Sequence, residues 1–199
     1  MLDKVHYFKD DWYSISEEEY KLAADFAKKR AEQDGDYMVD NRDVTSDKFY
    51  KDTLRGAFAE IVAVKVLPKE FGLDPSVKPD FKIYSKTEKA KKTSKDLTYG
   101  KYNIHVIHCP IETVDKYGES YARNNSDKLF NKKNLKSPYN LLMLMLVDED
   151  KRKVQPRALV SWKYIIDNDM MGEPALKRKY GGKKKFLYYS SLESINATM

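Results

Sequence analysis

The sequence predicts an α/β domain, a mixed central β-sheet flanked by helices, and three observations carry that prediction. Two stretches of helical period, one opened by a capping box, fill the first third of the chain. Strand-length runs rich in β-branched, aromatic and aliphatic residues come after them, separated by polar and irregular connections. With 41% hydrophobic residues over 199 positions there is enough apolar material for one core. No internal repeat, Gly/Ser linker or compositional break divides the chain, so residues 1–199 read as one domain with a basic C-terminal segment at 177–185.

Taken in order, Ser16-Glu17-Glu18-Glu19 has the capping-box spacing, and Tyr20, Ala23, Ala24, Ala27 and Ala31 keep helical period to about Gln33. Residues 35–48 are polar and rich in Asp and Asn, which predicts a loop. A second helix is expected from Lys51 to Leu67, where Leu54, Phe58, Ile61 and Val62 make one apolar stripe and Pro68 supplies the stop. Short strands are expected at Asp80–Tyr84, Asp96–Tyr99 and Tyr102–Cys109, followed by a long polar segment. Two more are expected at Tyr139–Val147 and Val154–Ser161, joined by the charged turn 148–153. Leu141 to Val147 is the longest apolar run and is far too short to span a bilayer, so it reads as a buried strand. Residues 1–6 lack the basic region and apolar core of a signal peptide, and the single Cys109 cannot form an internal disulfide. A reducing interior, the cytoplasm, is the expected compartment.

Charge is unevenly distributed. Residues 1–60 carry 10 Lys/Arg against 15 Asp/Glu, whereas residues 61–199 carry 27 against 16. The basic excess concentrates in three runs: Lys86 to Lys95, including Lys92; Lys128 to Lys136, including Lys132 and Lys133; and Lys177 to Lys185, ending in Lys183, Lys184 and Lys185. The third encloses Tyr180-Gly181-Gly182, where backbone amides and cationic side chains can approach a phosphate closely. One run alone is an ordinary solvated surface; three on one side of a chain with a pI near 9.0 point to a polyanion, most simply nucleic acid and in particular DNA. The abundance of Lys, Tyr and Asn suits an AT-rich genome such as that of a virus infecting bacteria. Some tyrosines, among them Tyr117, Tyr121, Tyr139, Tyr188 and Tyr189, could stack on bases beside the lysines, although most aromatics are core or rim. Trp12 and Trp162 read as packing residues.

Three residues combine into a candidate site. Glu60 sits on the second helix among small and apolar neighbours, where a carboxylate either snorkels out or is held by a partner. Asp96 enters a strand, Gly100 turns the chain, and His105 lies among β-branched residues of the next strand. Two carboxylates with a third ligand make an oxygen-rich site of the kind Mg²⁺ takes, with waters left for substrate phosphate. His105 and His108 cannot share an ion, because strand residues an odd number apart face opposite ways. Cys109 shares the His105 face, but four residues of strand separate them by about 13 Å, so it reads as a small buried hydrophobe.

Arg55-Gly56-Ala57-Phe58-Ala59-Glu60, Asp96-Leu97 and Ile104-His105-Val106-Ile107 together resemble the PD-(D/E)XK, or restriction-endonuclease-like, nuclease superfamily over residues 50–165. In that family a helix glutamate, an Asp at a strand start and an acidic residue followed two positions later by Lys surround one or two metal ions. The resemblance implies a restriction-endonuclease-like sheet, with Glu60, Asp96 and His105 as catalytic positions and Mg²⁺ or Mn²⁺ held by Glu60 and Asp96. Asp80, after Pro79, is the competing choice for the central Asp. His105 takes the acidic position, which removes a negative charge and admits softer ions. Ile107 stands where the family has its lysine, and it can neither orient water nor steady phosphorane charge. Lys101 in the turn and Lys95 beside Asp96 are the nearby substitutes, while Lys92, Lys95, Lys101, Lys132, Lys133 and Lys183 to Lys185 are the expected phosphate contacts.

The leading expectation is therefore a metal-dependent endonuclease of that fold acting on DNA. The alternative is a catalytically silent relative that binds DNA or a protein partner, for example to block a host enzyme. A third is an assembly factor whose basic surface meets an acidic protein. No membrane partner is expected, and a homodimer stays open.

Overall fold

A computed structural model describes residues 4–34, 46–83, 96–124, 139–172 and 184–196. Strands β1 (His6–Tyr7) and β2 (Tyr13–Ser14) come first, before any helix, a feature two-residue strands give no period to reveal. Helix α1 (Glu17–Asp34) starts at the capping box. There the Ser16 N–H donates to Glu19 Oε2 at 3.0 Å, and Ser16 Oγ accepts from the Glu19 N–H at 3.3 Å.

Helix α2 (Ser46–Phe71) is longer at both ends than the sequence predicts. It begins inside the stretch read as loop and runs through Pro68 rather than stopping before it. A proline near a helix end removes one hydrogen bond, and here the last turn is held from outside. Val66 and Leu67 are buried, the Phe71 ring lies 4.7 Å from His6, and Glu70 pairs with His6 at 3.1 Å. Burial and these contacts outweigh the local stop signal.

The expected strand at 80–84 is absent from the described residues 80–83; Tyr84 lies outside them. Phe81 meets its need for burial by stacking on Phe26 of α1, centroids 4.9 Å apart, and Asp80 Oδ1 accepts the Lys82 N–H at 3.1 Å, which bends the backbone.

A hairpin follows, β3 (Leu97–Tyr99) and β4 (Tyr102–Pro110), turning at Gly100 with φ 56°. A 3-10 turn (Ile111–Thr113), the single-turn α3 (Val114–Tyr117) and β5 (Ser120–Asn124) lead toward β6 (Asn140–Asp148) and β7 (Lys153–Ser161). The chain ends in α4 (Trp162–Asp167), β8 (Met171–Gly172), β9 (Lys184–Tyr188) and α5 (Tyr189–Asn196).

The principal sheet runs β1-β7-β6-β4-β3, with β2 also on β7. It is mixed: β4 and β6 are parallel, and β3–β4, β6–β7 and the N-terminal pairings are antiparallel. A parallel β4–β6 pair requires the long connection that residues 111–139 supply. The β6–β7 register shifts at Leu144/Met145, opposite Ala158 and Pro156, so Arg157 is the extra residue of a bulge; Pro156 has no N–H to give the ladder. A second, three-stranded sheet, β5-β9-β8, occupies segments that read only as polar connection and basic tail.

Alternation sorts the core onto two faces. Leu97, Tyr99, Ile104, Val106, Leu141, Met143, Met145 and Val147 meet α1 and α2 on one. Cys109, Leu142, Leu144 and Leu146 meet Tyr121, Trp162, Ile165, Leu187 and Leu192 on the other. Trp162 is fully buried as expected, whereas Trp12 is 38% exposed. No helix among the described residues is long and apolar enough to cross a membrane.

Candidate functional site

The β3–β4 register, Leu97 with Ile104, brings Asp96 alongside His105 on the sheet face opposite α2. The Asp96 backbone N–H donates to Ile104 O at 3.2 Å, and its carboxylate Oδ2 accepts the Val106 N–H at 2.8 Å. That same oxygen lies 4.0 Å from His105 Nδ1, an ion-pair separation longer than a hydrogen bond. His105 is 2% exposed and the Asp96 side chain 34%, so the carboxylate stands at the rim and the imidazole below it.

The corner continues toward the start of the parallel pair. Asn103 Nδ2 donates to Asn140 Oδ1 at 3.1 Å across β4–β6, and the Asn103 N–H donates to Tyr139 O at 2.9 Å. In the turn, exposed Lys101 places its ammonium 4.8 Å from the Tyr139 ring centroid and 5.6 Å from that of Tyr102.

The other expected positions lie elsewhere. Glu60 is half-buried on α2, the helix that covers the opposite face from Asp96 and His105. Asp80 is half-buried in the irregular segment after α2. Among the described residues no group of three or more His, Cys, Asp or Glu is arranged to hold a metal ion, so Glu60, Asp96 and His105 do not converge as the sequence suggested. Two strand residues share a face because register puts them there; a helix residue joins them only if the helix lies on that face, which one-dimensional order does not specify. Asp96 with His105 offers one carboxylate and one imidazole, and Mg²⁺ commonly takes few protein donors and keeps its waters. Lys92, Lys95, Lys132, Lys133 and Lys183 lie outside the described residues; Lys184 and Lys185 stand on β9, in register with Asn124 and Arg123. Ile107 follows His105 on the same face and packs against the second core cluster.

His108 faces the other way from His105, against α2, where a Cβ on Gly56 would lie 3.9 Å from its ring. Burial, with the neighbouring Arg55 guanidinium, pushes its pKa from 6.5 to about 4, so it is neutral at physiological pH. Arg55 itself joins three carboxylates: Glu112 at 2.7 Å, Glu149 at 2.6 Å and Asp52 at 3.6 Å. The Arg55 Nε–Glu149 Oε2 approach is an ion pair off the N–H direction, since neither atom gains a hydrogen bond. This network ties α2 to the far ends of β4 and β6, and only the pairing of distant segments assembles it.

A second ionic group sits behind the bulge. Arg157 Nε donates to both oxygens of Glu119, at 3.1 and 3.2 Å, its NH1 reaches Asp10 at 2.6 Å, and its guanidinium lies over Tyr189. Tyr121 is fully buried and donates its hydroxyl to Glu119 at 2.6 Å; burial and that carboxylate raise its pKa far above the usual phenol value. Tyr121 and Tyr189 are thus core residues joining the two sheets. Burial likewise raises the Cys109 thiol, which meets Thr113 Oγ1 and Pro110 O at 3.7 Å, so Cys109 is the small buried residue its position predicted.

Compared with protein-family models, curated proteins and solved structures, the chain gives no match.

Proposed function

We propose that this chain is a DNA-acting protein with a restriction-endonuclease-like core, and that phosphodiester hydrolysis takes place at the Asp96–His105 corner. The observation that carries the reading is the juxtaposition of these side chains, 4.0 Å apart on adjacent antiparallel strands and followed by a parallel strand after a long crossover. A helix, an Asp-bearing strand and a terminal-motif strand follow in the order that the resemblance implies, and Asp96 and His105 are the residues it assigns to the two strands. Asp96, fixed by the Val106 N–H, would receive a divalent ion or a water; His105 would orient the water or take its proton. Mg²⁺ or Mn²⁺ belongs to the proposal as the supplier of Lewis acidity at the phosphate. The basic half of the chain would supply the phosphate contacts.

Supercoiled plasmid and single-stranded DNA, incubated with the full chain and Mg²⁺, Mn²⁺ or EDTA, test the reading. Cleavage that needs metal and is lost in both Asp96→Asn and His105→Gln supports it, while equal cleavage by wild type and both variants places the chemistry elsewhere. A second reading, a silent nuclease-like module that binds DNA or a protein partner such as a host enzyme, is favoured by Ile107 at the lysine position and by a described donor set of only two. Binding without cleavage under every metal condition would select it.

A further inference from the structure

Tyr102 and Tyr139 sit at the beginning of the parallel pair, where β4 and β6 leave the hairpin end of the sheet. Their rings are 5.8 Å apart and inclined at 73°, and both residues are half-buried. Tyr102 packs against the helix-facing core beside buried Tyr99, and the Asn103 N–H to Tyr139 O bond at 2.9 Å fixes the second ring's backbone to β4. The pair is therefore preorganised, and little conformational freedom remains to be lost when a flat ligand arrives. Gly100, with φ 56°, allows the tight turn that lets exposed Lys101 reach back over both rings.

We infer that Lys101, Tyr102 and Tyr139 form a stacking platform for an unpaired nucleobase, which makes single-stranded nucleic acid the favoured polymer class. The inference rests on the nucleic-acid reading above and names the form of the polymer bound. In the free protein the ammonium occupies the electron-rich ring faces; with a strand bound, a base takes that place and the flexible lysine turns to the adjoining phosphate. In a duplex the base faces are covered by their neighbours, so the platform discriminates by strandedness rather than by sequence. Tyr102 is three strand residues from His105 and so faces the α2 side of the sheet, which puts a stacked base at the hairpin end of the sheet on the face opposite the Asp96–His105 corner.

Anisotropy of a labelled 20-mer, single-stranded or annealed, with the full chain tests this, an RNA of the same sequence forming a parallel arm. Either single strand should bind more tightly than the duplex, and the tighter of the two identifies the polymer. Tyr102→Ala and Tyr139→Ala should each weaken single-strand binding about tenfold and leave duplex binding and the salt slope unchanged. Tyr139→Phe should bind like wild type, since the ring and not the hydroxyl is used. Lys101→Ala should lower the salt slope by about 0.7, one phosphate's share for a single strand. Because an alanine variant can lose its fold, photocrosslinking of wild type to 5-iodouracil-substituted strands gives an independent reading, with adducts expected on Tyr102 or Tyr139. Adducts only elsewhere, or tyrosine variants that bind as wild type, overturn the platform and leave the nucleic-acid reading intact. No binding to any nucleic acid at low salt overturns both.

Discussion

His108 should make the fold acid-sensitive in a way that a single substitution removes. Its pKa falls from an ordinary 6.5 to about 4 in the folded chain because burial and Arg55 disfavour the imidazolium. Between those values the unfolded chain binds a proton that the folded chain refuses, so stability rises with pH across the window and is lost as pH falls through it. The full difference corresponds to about 3 kcal/mol, and the part expressed between pH 7 and pH 5 to about 2 kcal/mol. The residue keeps some solvent exposure, so these figures are ceilings. Urea denaturation of wild type and His108→Gln at pH 7, 6 and 5 measures the effect. Asp, Glu and the other histidines titrate in both proteins, so the difference in pH dependence isolates His108. Wild type should lose up to about 2 kcal/mol more than the variant on going from pH 7 to pH 5. Parallel pH profiles would show that the imidazole is protonated without penalty and would refute the packing argument against Gly56 and Arg55.

Gly56 lies mid-helix without positive φ, and an added Cβ meets only His108 at 3.9 Å, an ordinary contact; Gly56→Ala should therefore stabilise the protein by about 0.5–1 kcal/mol in thermal melts. Ser16→Ala removes the hydroxyl that accepts the Glu19 N–H and should cost about 1 kcal/mol by chemical denaturation. Ile107→Lys puts an ammonium two residues beyond His105 on the same face; if the corner acts on phosphodiesters, metal-dependent cleavage should rise by about 10²–10³ over wild type, and adding Asp96→Asn should abolish that gain.

The first helix was legible because its information is local: Ser16 and Glu19 satisfy each other's backbone N–H groups within one turn, whatever the rest of the chain does. The Asp96–His105 juxtaposition was half legible for a related reason, since a glycine turn sets hairpin register and register sets cross-strand neighbours. The opposed faces of His105 and His108 followed from the two-residue period alone. Where a residue's place depended on a distant segment, local pattern misled. Pro68 read as a stop, yet Phe71 and Glu70 are held by His6, more than sixty positions away. Glu60 read as a partner of Asp96, yet its helix covers the other face.

Sequence by itself determined the mixed α/β class, the capped first helix, the paired strands around residues 97–110 and 140–161, and the charge imbalance between the two parts of the chain. Tertiary structure decided which face α2 covers, the pairing of β1 and β2 with β7, the second sheet, and the convergence of Arg55 with Glu112 and Glu149. The physical reason is one of range: periodicity and capping act across a few residues and leave their mark in the string. Burial of a face or neutralisation of a buried charge, by contrast, is settled between groups that only the folded chain brings together.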